Sequence, residues 1–189
     1  DRIEVALVRG PVTAALLKLK TKRFGDPGLL INEVLPFAGS REDRIGIVPH
    51  YTQAEDAALL ALVASDPVYL LIDPRGDPVQ VCMQIASCAH VYASSLHGLI
   101  VADAYDVPNT WMDPVGQSWL KYLDYAASVG RVDMMAPLDL DEVVGHRPVT
   151  CDYTDGIAAA REALVQSFPA RMKSTAQGPD TKALRAAMI

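Results

Sequence analysis

The composition of this 189-residue chain is typical of one globular domain with a sizeable hydrophobic core. Half of its residues are hydrophobic, 21% are charged and the formal net charge is −6, which argues against a general nucleic-acid or anionic-membrane binder. Its three cysteines, Cys82, Cys88 and Cys151, form no C-x-x-C pair, so we expect neither a disulfide framework nor a zinc site. No apolar run approaches the length of a membrane span, and no signal peptide is evident.

The order of short apolar segments and helical patterns along the chain predicts an alternating α/β fold. Five segments are short, apolar and bounded by turn residues, as strands are: Ile3–Val8, Arg44–Val48, Val68–Ile72, Val91–Ala93 and Pro108–Met112. Helical spacing or helix-start signals predict helices between and after them: Val12–Lys20, Gln53–Ala64, Pro78–Ser87, Leu96–Tyr105, Trp119–Ser128, Pro137–Val144 and Gly156–Ser167. We therefore predict a doubly wound, mostly parallel, Rossmann-like sheet with helices on both faces.

The predicted domain covers residues 1–168, and residues 169–189 form a predicted C-terminal tail. The polar, glycine-containing stretch Pro36–Asp43 is predicted to be a loop, where a domain boundary could fall if the parent protein has two domains. The tail alternates basic and polar residues, so we expect it to be ordered only against another surface.

Polar side chains follow three of the predicted strands. His97 lies in the first turn of a predicted helix for which Ser94 or Ser95 is a good N-cap, while Arg9 and His50 follow two other strands. The carboxyl ends of parallel strands share one edge of a sheet, where ligands bind, and helix N-termini there attract anions. The alternatives are a histidine that only packs and an arginine that only caps.

The chain lacks the motifs of several enzyme classes. No G-x-G-x-x-G follows the first strand, no P-loop lysine motif occurs and no G-x-S-x-G elbow is present, which weighs against a dinucleotide dehydrogenase, an NTPase and an α/β-hydrolase. His50 and His97 lack a third ligand at a familiar metal spacing. What remains is an anion-recognising pocket, with histidines that can donate protons, for substrates carrying phosphate or carboxylate groups.

Five blocks carry a resemblance to a known family. In chain order they are VRGPVT, GDPGLL, GIVPHY, SSLHGLIVADAY and KYLDYAASVGR, which together span about Val5 to Arg131. They resemble the polysaccharide pyruvyl transferase family, nearest its bacterial exopolysaccharide branch. The resemblance implies a fold similar to the two-domain GT-B glycosyltransferases, with the active site between two Rossmann-like halves. This chain, which starts at Asp1 almost directly in an apolar strand, would be mainly the C-terminal half.

The resemblance also implies the reaction and its setting. Family members transfer the enolpyruvyl unit of phosphoenolpyruvate to a sugar as a ketal and release phosphate, with no cofactor. The acceptor would be a glycan or a lipid-linked saccharide. We expect a cytoplasmic location, either free or peripherally associated with the inner face of the membrane, and no nucleic-acid partner.

By the same resemblance, His97 in the L-H block would be the general acid that protonates the enol carbon, or would otherwise stabilise the oxocarbenium-like centre. Arg9 would hold the donor phosphate or carboxylate. The hydroxyls of Ser94 and Ser95, with the neighbouring N–H groups of the block up to Gly98, would complete the anion cradle.

Three further residues receive roles on the same basis. His50 would be a second acid or base, or an acceptor contact beside Tyr51. In the KYLDY block, Lys121 would bind the donor and Tyr122 the acceptor sugar; their alternative is an exposed lysine and a packed tyrosine.

The chain departs from the family pattern at one position. Ser95 stands where some branches have an arginine, two residues before the histidine, so another cation such as Lys121 or Arg131 would replace that arginine, or donor handling differs.

Two competing interpretations remain. A GT-B-like glycosyltransferase using a nucleotide sugar would need a carboxylate for the ribose, and only Glu33 and Asp73 lie near plausible positions. The other is a non-catalytic module that binds anionic ligands.

Overall fold

The computed structural model describes residues 4–148 and 151–170, which contain one four-stranded parallel sheet. The strands are β1 (Glu42–Val48), β2 (Tyr69–Leu71), β3 (Cys88–Ala93) and β4 (Asn109–Trp111), in the spatial order β2-β1-β3-β4. The α-helices are α1 (Pro11–Leu16), α2 (Ile31–Val34), α3 (Ala57–Ser65), α4 (Pro78–Ser87), α5 (Leu96–Ala104), α6 (Leu120–Ser128) and α7 (Thr154–Ser167). Single 3₁₀ turns cover Pro27–Leu30, Tyr51–Gln53 and Leu140–Glu142. The predicted α/β, Rossmann-like class is confirmed.

Both faces of the sheet are covered by apolar side chains. Val48, Val91 and Ala93 belong to the larger core, with α4, α5 and α6. Ile47 and Tyr92 face the other side and pack with residues of α3. Alternation of side chains along a strand gives each strand one residue set per face, and the helices that connect parallel strands cover both sets.

Helix α5 lies unusually close to the two central strands. A Cβ atom at Gly98 would stand 2.8 Å from Val48 Cγ1 and 3.0 Å from Ala93 Cβ. Only glycine allows this approach, and the contact places the N-terminus of α5 directly above the ends of β1 and β3.

The prediction of a first strand over Ile3–Val8 is wrong for residues 4–8, the part of it that the structure describes. Residues 4–7 form no strand, and Val8 makes only an isolated parallel bridge to Phe24. An apolar, β-branched run fits a pleated surface but does not specify a partner. Here the next residues are held against α6 by Asp124, so this stretch does not extend the sheet.

Other predicted bounds shift for local reasons. The helix predicted over Val12–Lys20 ends at Leu16, because Lys18 adopts a left-handed conformation with φ of 54°. The helix predicted from Gln53 begins at Ala57, since Asp56 caps it, and the helix predicted over Pro137–Val144 is a single 3₁₀ turn. Strand β1 begins at Glu42, inside the predicted loop.

The other predicted strands and helices lie within three residues of their predicted limits, whereas α2 was not predicted. Most of the predicted tail, residues 171–189, lies outside the described residues. None of the helices in the described part is long and apolar enough to cross a membrane.

Candidate functional site

The turns after β1 and β3 are tied together at the carboxyl edge of the sheet. Val48 pairs with Ala93 at the strand ends, and the His50 N–H donates to Ser94 Oγ at 2.7 Å. Ser94 Oγ in turn donates to Gln53 Oε1 at 2.8 Å. Ser94 is fully buried, so its hydroxyl organises the two turns. The prediction that this hydroxyl contacts the donor does not fit its burial and bonding.

The N-terminus of α5 presents unpaired N–H groups beside an exposed histidine. Ser95 is the N-cap, and its side chain accepts from the Gly98 N–H at 3.3 Å. In residues 4–148 and 151–170, no hydrogen bond takes up the Leu96 and His97 N–H groups. The His97 side chain is 67% exposed. Helix N-termini of this kind bind anions.

The structure adds one carboxylate, Asp26, that the sequence analysis did not include in the site. It lies between Arg9 and His97. Asp26 Oδ2 accepts from Arg9 Nε at 2.9 Å, and Asp26 Oδ1 lies 3.9 Å from His97 Nε2. Asp26 stands in the GDPGLL block, but its sequence signal is that of a turn residue before proline. Its contacts with Arg9 and His97 depend on the tertiary fold, so the sequence did not reveal them.

Helix α6 contacts both the segment that carries Arg9 and the turn before α5. The Tyr122 hydroxyl donates to the Ser94 carbonyl at 2.6 Å, and Asp124 Oδ1 accepts from the Val12 N–H at 2.7 Å. A Cβ atom at Gly10 would stand 2.1 Å from the Asp124 carbonyl oxygen, so α1 approaches α6 closely. One helix therefore positions both the Arg9 segment and the turn before α5.

Tyr122 is fully buried and stacks on Trp111, with ring centroids 5.0 Å apart. A ring without exposed surface does not contact a sugar, so the predicted acceptor role of Tyr122 does not fit this structure.

Arg9 and Lys121 line one cavity of about 310 Å³. Thr13, Gln117 and Ser118 contribute polar atoms to its wall. The volume is at the small end of the range for ligand pockets. Asp124 also lines the cavity, but its carboxylate already accepts from the Val12 N–H and the Thr13 hydroxyl, so the two cations suit an anion carrying phosphate or carboxylate. Lys121 therefore shares a cavity with Arg9, and its role as the cation in place of Ser95 stays a prediction.

Arg131, the other candidate for that cation, is engaged elsewhere. It is buried and donates to Asn109 Oδ1 at 2.6 Å and to the Asn109 carbonyl at 2.7 Å. Its Nε donates to Asp133. Because Asn109 begins β4, this network lies at the opposite edge of the sheet, and Arg131 does not replace the missing arginine.

His50 is nearly buried, and its Nδ1 lies 2.8 Å from Thr52 Oγ1. Burial, and then the positive charge of Lys121, lowers the pKa of His50. The lowered pKa favours the neutral ring, the form that can accept a proton. Tyr51 packs on it at 4.5 Å between ring centroids and is 62% exposed; its acceptor contact stays a prediction.

The two carboxylates considered for a nucleotide ribose give that interpretation no support. Asp73 is paired with Arg75 at 2.7 Å, and Glu33 is exposed on α2. Neither lines the cavity that holds Arg9 and Lys121.

Fold and site together define a Rossmann-like α/β domain with a cationic pocket and two histidines near the carboxyl edge of a parallel sheet. Residues 2–114 match the family described as polysaccharide pyruvyl transferase. The match covers more than half of the chain, which therefore belongs to this family.

Two relatives extend the comparison. The chain is 31% identical over 130 residues to the succinoglycan biosynthesis protein ExoV of Rhizobium meliloti, covering 67% of this chain and 41% of the relative. It is 32% identical over 139 residues to an uncharacterised protein of Acanthamoeba polyphaga mimivirus, covering 67% of this chain and 48% of the relative. The chain thus spans about half the length of the relatives it matches. No solved structure matches it significantly.

Proposed function

We propose that this chain carries the donor-binding half of the active site of a pyruvyltransferase. The enzyme would transfer pyruvate from phosphoenolpyruvate, as a ketal, to a sugar of an exopolysaccharide or another cell-surface glycan. The observation that carries the proposal is the cavity shared by Arg9 and Lys121. Asp26 accepts a hydrogen bond from Arg9 and lies 3.9 Å from the exposed His97. Family membership supports the class of reaction.

The donor chemistry fits the groups on this edge of the sheet. Phosphoenolpyruvate carries a phosphate and a carboxylate, so it needs at least two groups of positive character. Arg9, Lys121 and the free N–H groups of α5 supply three such groups. An arginine binds a planar carboxylate or a phosphate through two parallel hydrogen bonds, whereas a lysine acts as a point charge.

The reaction balances with two sugar hydroxyls and one donor. A proton adds to the terminal enol carbon, which becomes a methyl group, and one hydroxyl oxygen bonds to the central carbon. The bond between that carbon and the phosphate oxygen breaks, and the second hydroxyl closes the ketal. Of the two hydroxyl protons, one balances the methyl proton and the other leaves with phosphate.

His97 is the proposed acid for the enol carbon, and His50 is the proposed base for a sugar hydroxyl. The exposed His97 ring can reach a ligand seated at the N-terminus of α5. The lowered pKa of His50 favours its neutral ring, which is able to take a proton. Tyr51 beside His50 supplies an exposed aromatic face for the acceptor sugar.

The proposal also implies the enzyme's cofactor requirement, acceptor and location in the cell. Phosphoenolpyruvate is a cytoplasmic metabolite and enters as a substrate, so no cofactor is required. The acceptor is a glycan or a lipid-linked saccharide, and the proposed location is the cytoplasm at the inner face of the membrane.

The test is phosphate release from phosphoenolpyruvate by the full-length protein, with and without acceptor glycans. We expect acceptor-dependent release that falls at least about a hundredfold in His97→Ala, since loss of a general acid costs this much. His146→Ala is the matched control, because His146 contacts Tyr92 on the other face of β3. No release across plausible acceptors contradicts the proposed function, and unchanged release in His97→Ala contradicts the role of His97.

A further inference from the structure

We propose that Asp26 is a positioning residue that fixes the plane of the Arg9 guanidinium and turns its free N–H groups toward the donor anion. The inference rests on the proposed function, since it names a residue that prepares the same site. Nothing in the sequence blocks assigns Asp26 a chemical role.

The carboxylate of Asp26 is itself held rigidly. Its side chain is 8% exposed, and its Oδ1 accepts from the Gly28 N–H at 3.0 Å. A Cβ atom at Gly28 would stand 2.9 Å from Ile100 Cγ2, so this turn packs directly on α5. A buried carboxylate costs free energy unless it is paired, and the partner provided here is Arg9.

The bond to Asp26 uses only one of the arginine's donor groups. Arg9 Nε donates to Asp26 Oδ2 at 2.9 Å, and among the described residues no partner takes up the Nη groups of Arg9. Because the guanidinium is planar, a bond at Nε fixes the direction of the remaining donors. Arg9 lines the cavity that it shares with Lys121, so these donors remain available to a ligand there.

The same carboxylate lies near the proposed acid. His97 Nε2 is 3.9 Å from Asp26 Oδ1, which is too long for a hydrogen bond. Asp26 therefore attracts a protonated His97 by charge without fixing the ring. The proposed acid, His97, and the proposed anion-binding arginine, Arg9, thus lie next to the same buried carboxylate, that of Asp26.

Capping alone does not require this charge. Asp26 caps the 3₁₀ turn Pro27–Leu30, but asparagine caps about as well as aspartate. Asp77 caps α4 through the Gln80 N–H at 3.0 Å, and its carboxylate forms no ion pair within residues 4–148 and 151–170. Asp26→Asn thus removes the charge and keeps the cap, and Asp77→Asn makes the same change at a cap away from the pocket.

The test is a double-mutant cycle on Asp26 and Arg9 in the full-length protein, with steady-state phosphate release as the readout. We expect Asp26→Asn to raise KM for phosphoenolpyruvate about tenfold, and to change KM less than about twofold in the Arg9→Lys background, because coupled residues are not additive. Asp77→Asn should leave kcat and KM unchanged. Equal effects of Asp26→Asn in both backgrounds, or kinetics like those of Asp77→Asn, would overturn the inference.

A second readout separates this inference from the proposed function. Calorimetric titration with inorganic phosphate requires no turnover, so it applies even to a protein that releases no phosphate from phosphoenolpyruvate. The same cycle should show about tenfold weaker phosphate binding in Asp26→Asn and no further loss in the Arg9→Lys background. Phosphate affinity unchanged by Asp26→Asn overturns the role of Asp26, whereas absence of turnover with normal coupling overturns only the proposed reaction.

Discussion

Removing the Tyr122 hydroxyl tests whether α6 positions the candidate site. This hydroxyl donates to the Ser94 carbonyl at 2.6 Å in a fully buried environment. Tyr105 provides a matched control, since its buried hydroxyl donates to the Leu35 carbonyl, also at 2.6 Å. The substitutions Tyr122→Phe and Tyr105→Phe therefore remove the same chemical group and the same kind of bond at two places.

Both variants should lose similar stability. A buried hydrogen bond contributes about 0.5–1.5 kcal/mol, and a carbonyl left without its partner adds a desolvation cost, so we expect a loss of about 1–2 kcal/mol in each. In a domain of this size, that corresponds to a fall in Tm of roughly 2–8 °C. Thermal and urea denaturation followed by circular dichroism measure this loss.

Activity should separate the two variants. Ser94 ties the turn of His50 to the N-terminus of α5, so a shift at its carbonyl moves groups that approach the donor. We expect the kcat/KM for phosphoenolpyruvate to fall between about threefold and a hundredfold in Tyr122→Phe, as small misplacements do in active sites. Tyr105→Phe should retain wild-type kinetics. Equal activity in the two variants at equal stability would refute the reasoning that α6 positions the site.

Three further predictions follow from charge and packing. His90→Gln should reduce the loss of stability on acidification, measured by urea denaturation. Burial, and then the positive potential of His146 and Arg131, lowers the pKa of His90 from 6.5 to about 4, so protonation favours the unfolded chain and up to roughly 3 kcal/mol is lost as pH falls through this window. Lys121→Met should raise the pKa of His50, measured by NMR titration, and weaken donor binding, because Lys121 contributes to lowering that pKa. Gly98→Ala should destabilise the fold by about 1–3 kcal/mol through overpacking.

Each of these predictions has a result that contradicts it. An acid stability profile of His90→Gln identical to that of the wild type would mean that His90 is not kept neutral by burial. An unchanged pKa of His50 in Lys121→Met would mean that the charge of Lys121 does not act on His50. Wild-type stability of Gly98→Ala would mean that α5 can move away from β1 and β3.

The sequence predicted the α/β class well because the relevant signals are local. Alternating strand and helix patterns with short connections allow few topologies, and N-cap signals located α4 and α5 to within a residue. The first strand failed because pairing is a tertiary choice. Val5 is 42% exposed, so the apolar pattern of this stretch does not reflect a place in the sheet.

The candidate site was predicted only in part, because a sequence does not show which side chains meet or which are already hydrogen-bonded in the fold. Arg9, His50 and His97 were singled out because they follow predicted strands, and their roles stay predictions. Asp26 was missed, since its contacts join residues far apart in the chain. Ser94 and Arg131 looked available because a sequence does not show which donors are already used, and both are bonded inside the fold.

One measurement tests the central claim most directly, namely the fate of the bridging oxygen of phosphoenolpyruvate. The donor is labelled with heavy oxygen between carbon and phosphorus, incubated with the full-length protein and an acceptor glycan, and both products are analysed by mass spectrometry. Pyruvyl transfer breaks the bond between carbon and oxygen, so the account predicts labelled phosphate together with a glycan heavier by one pyruvate less one water. Label recovered in pyruvate, with an unmodified glycan, would contradict it.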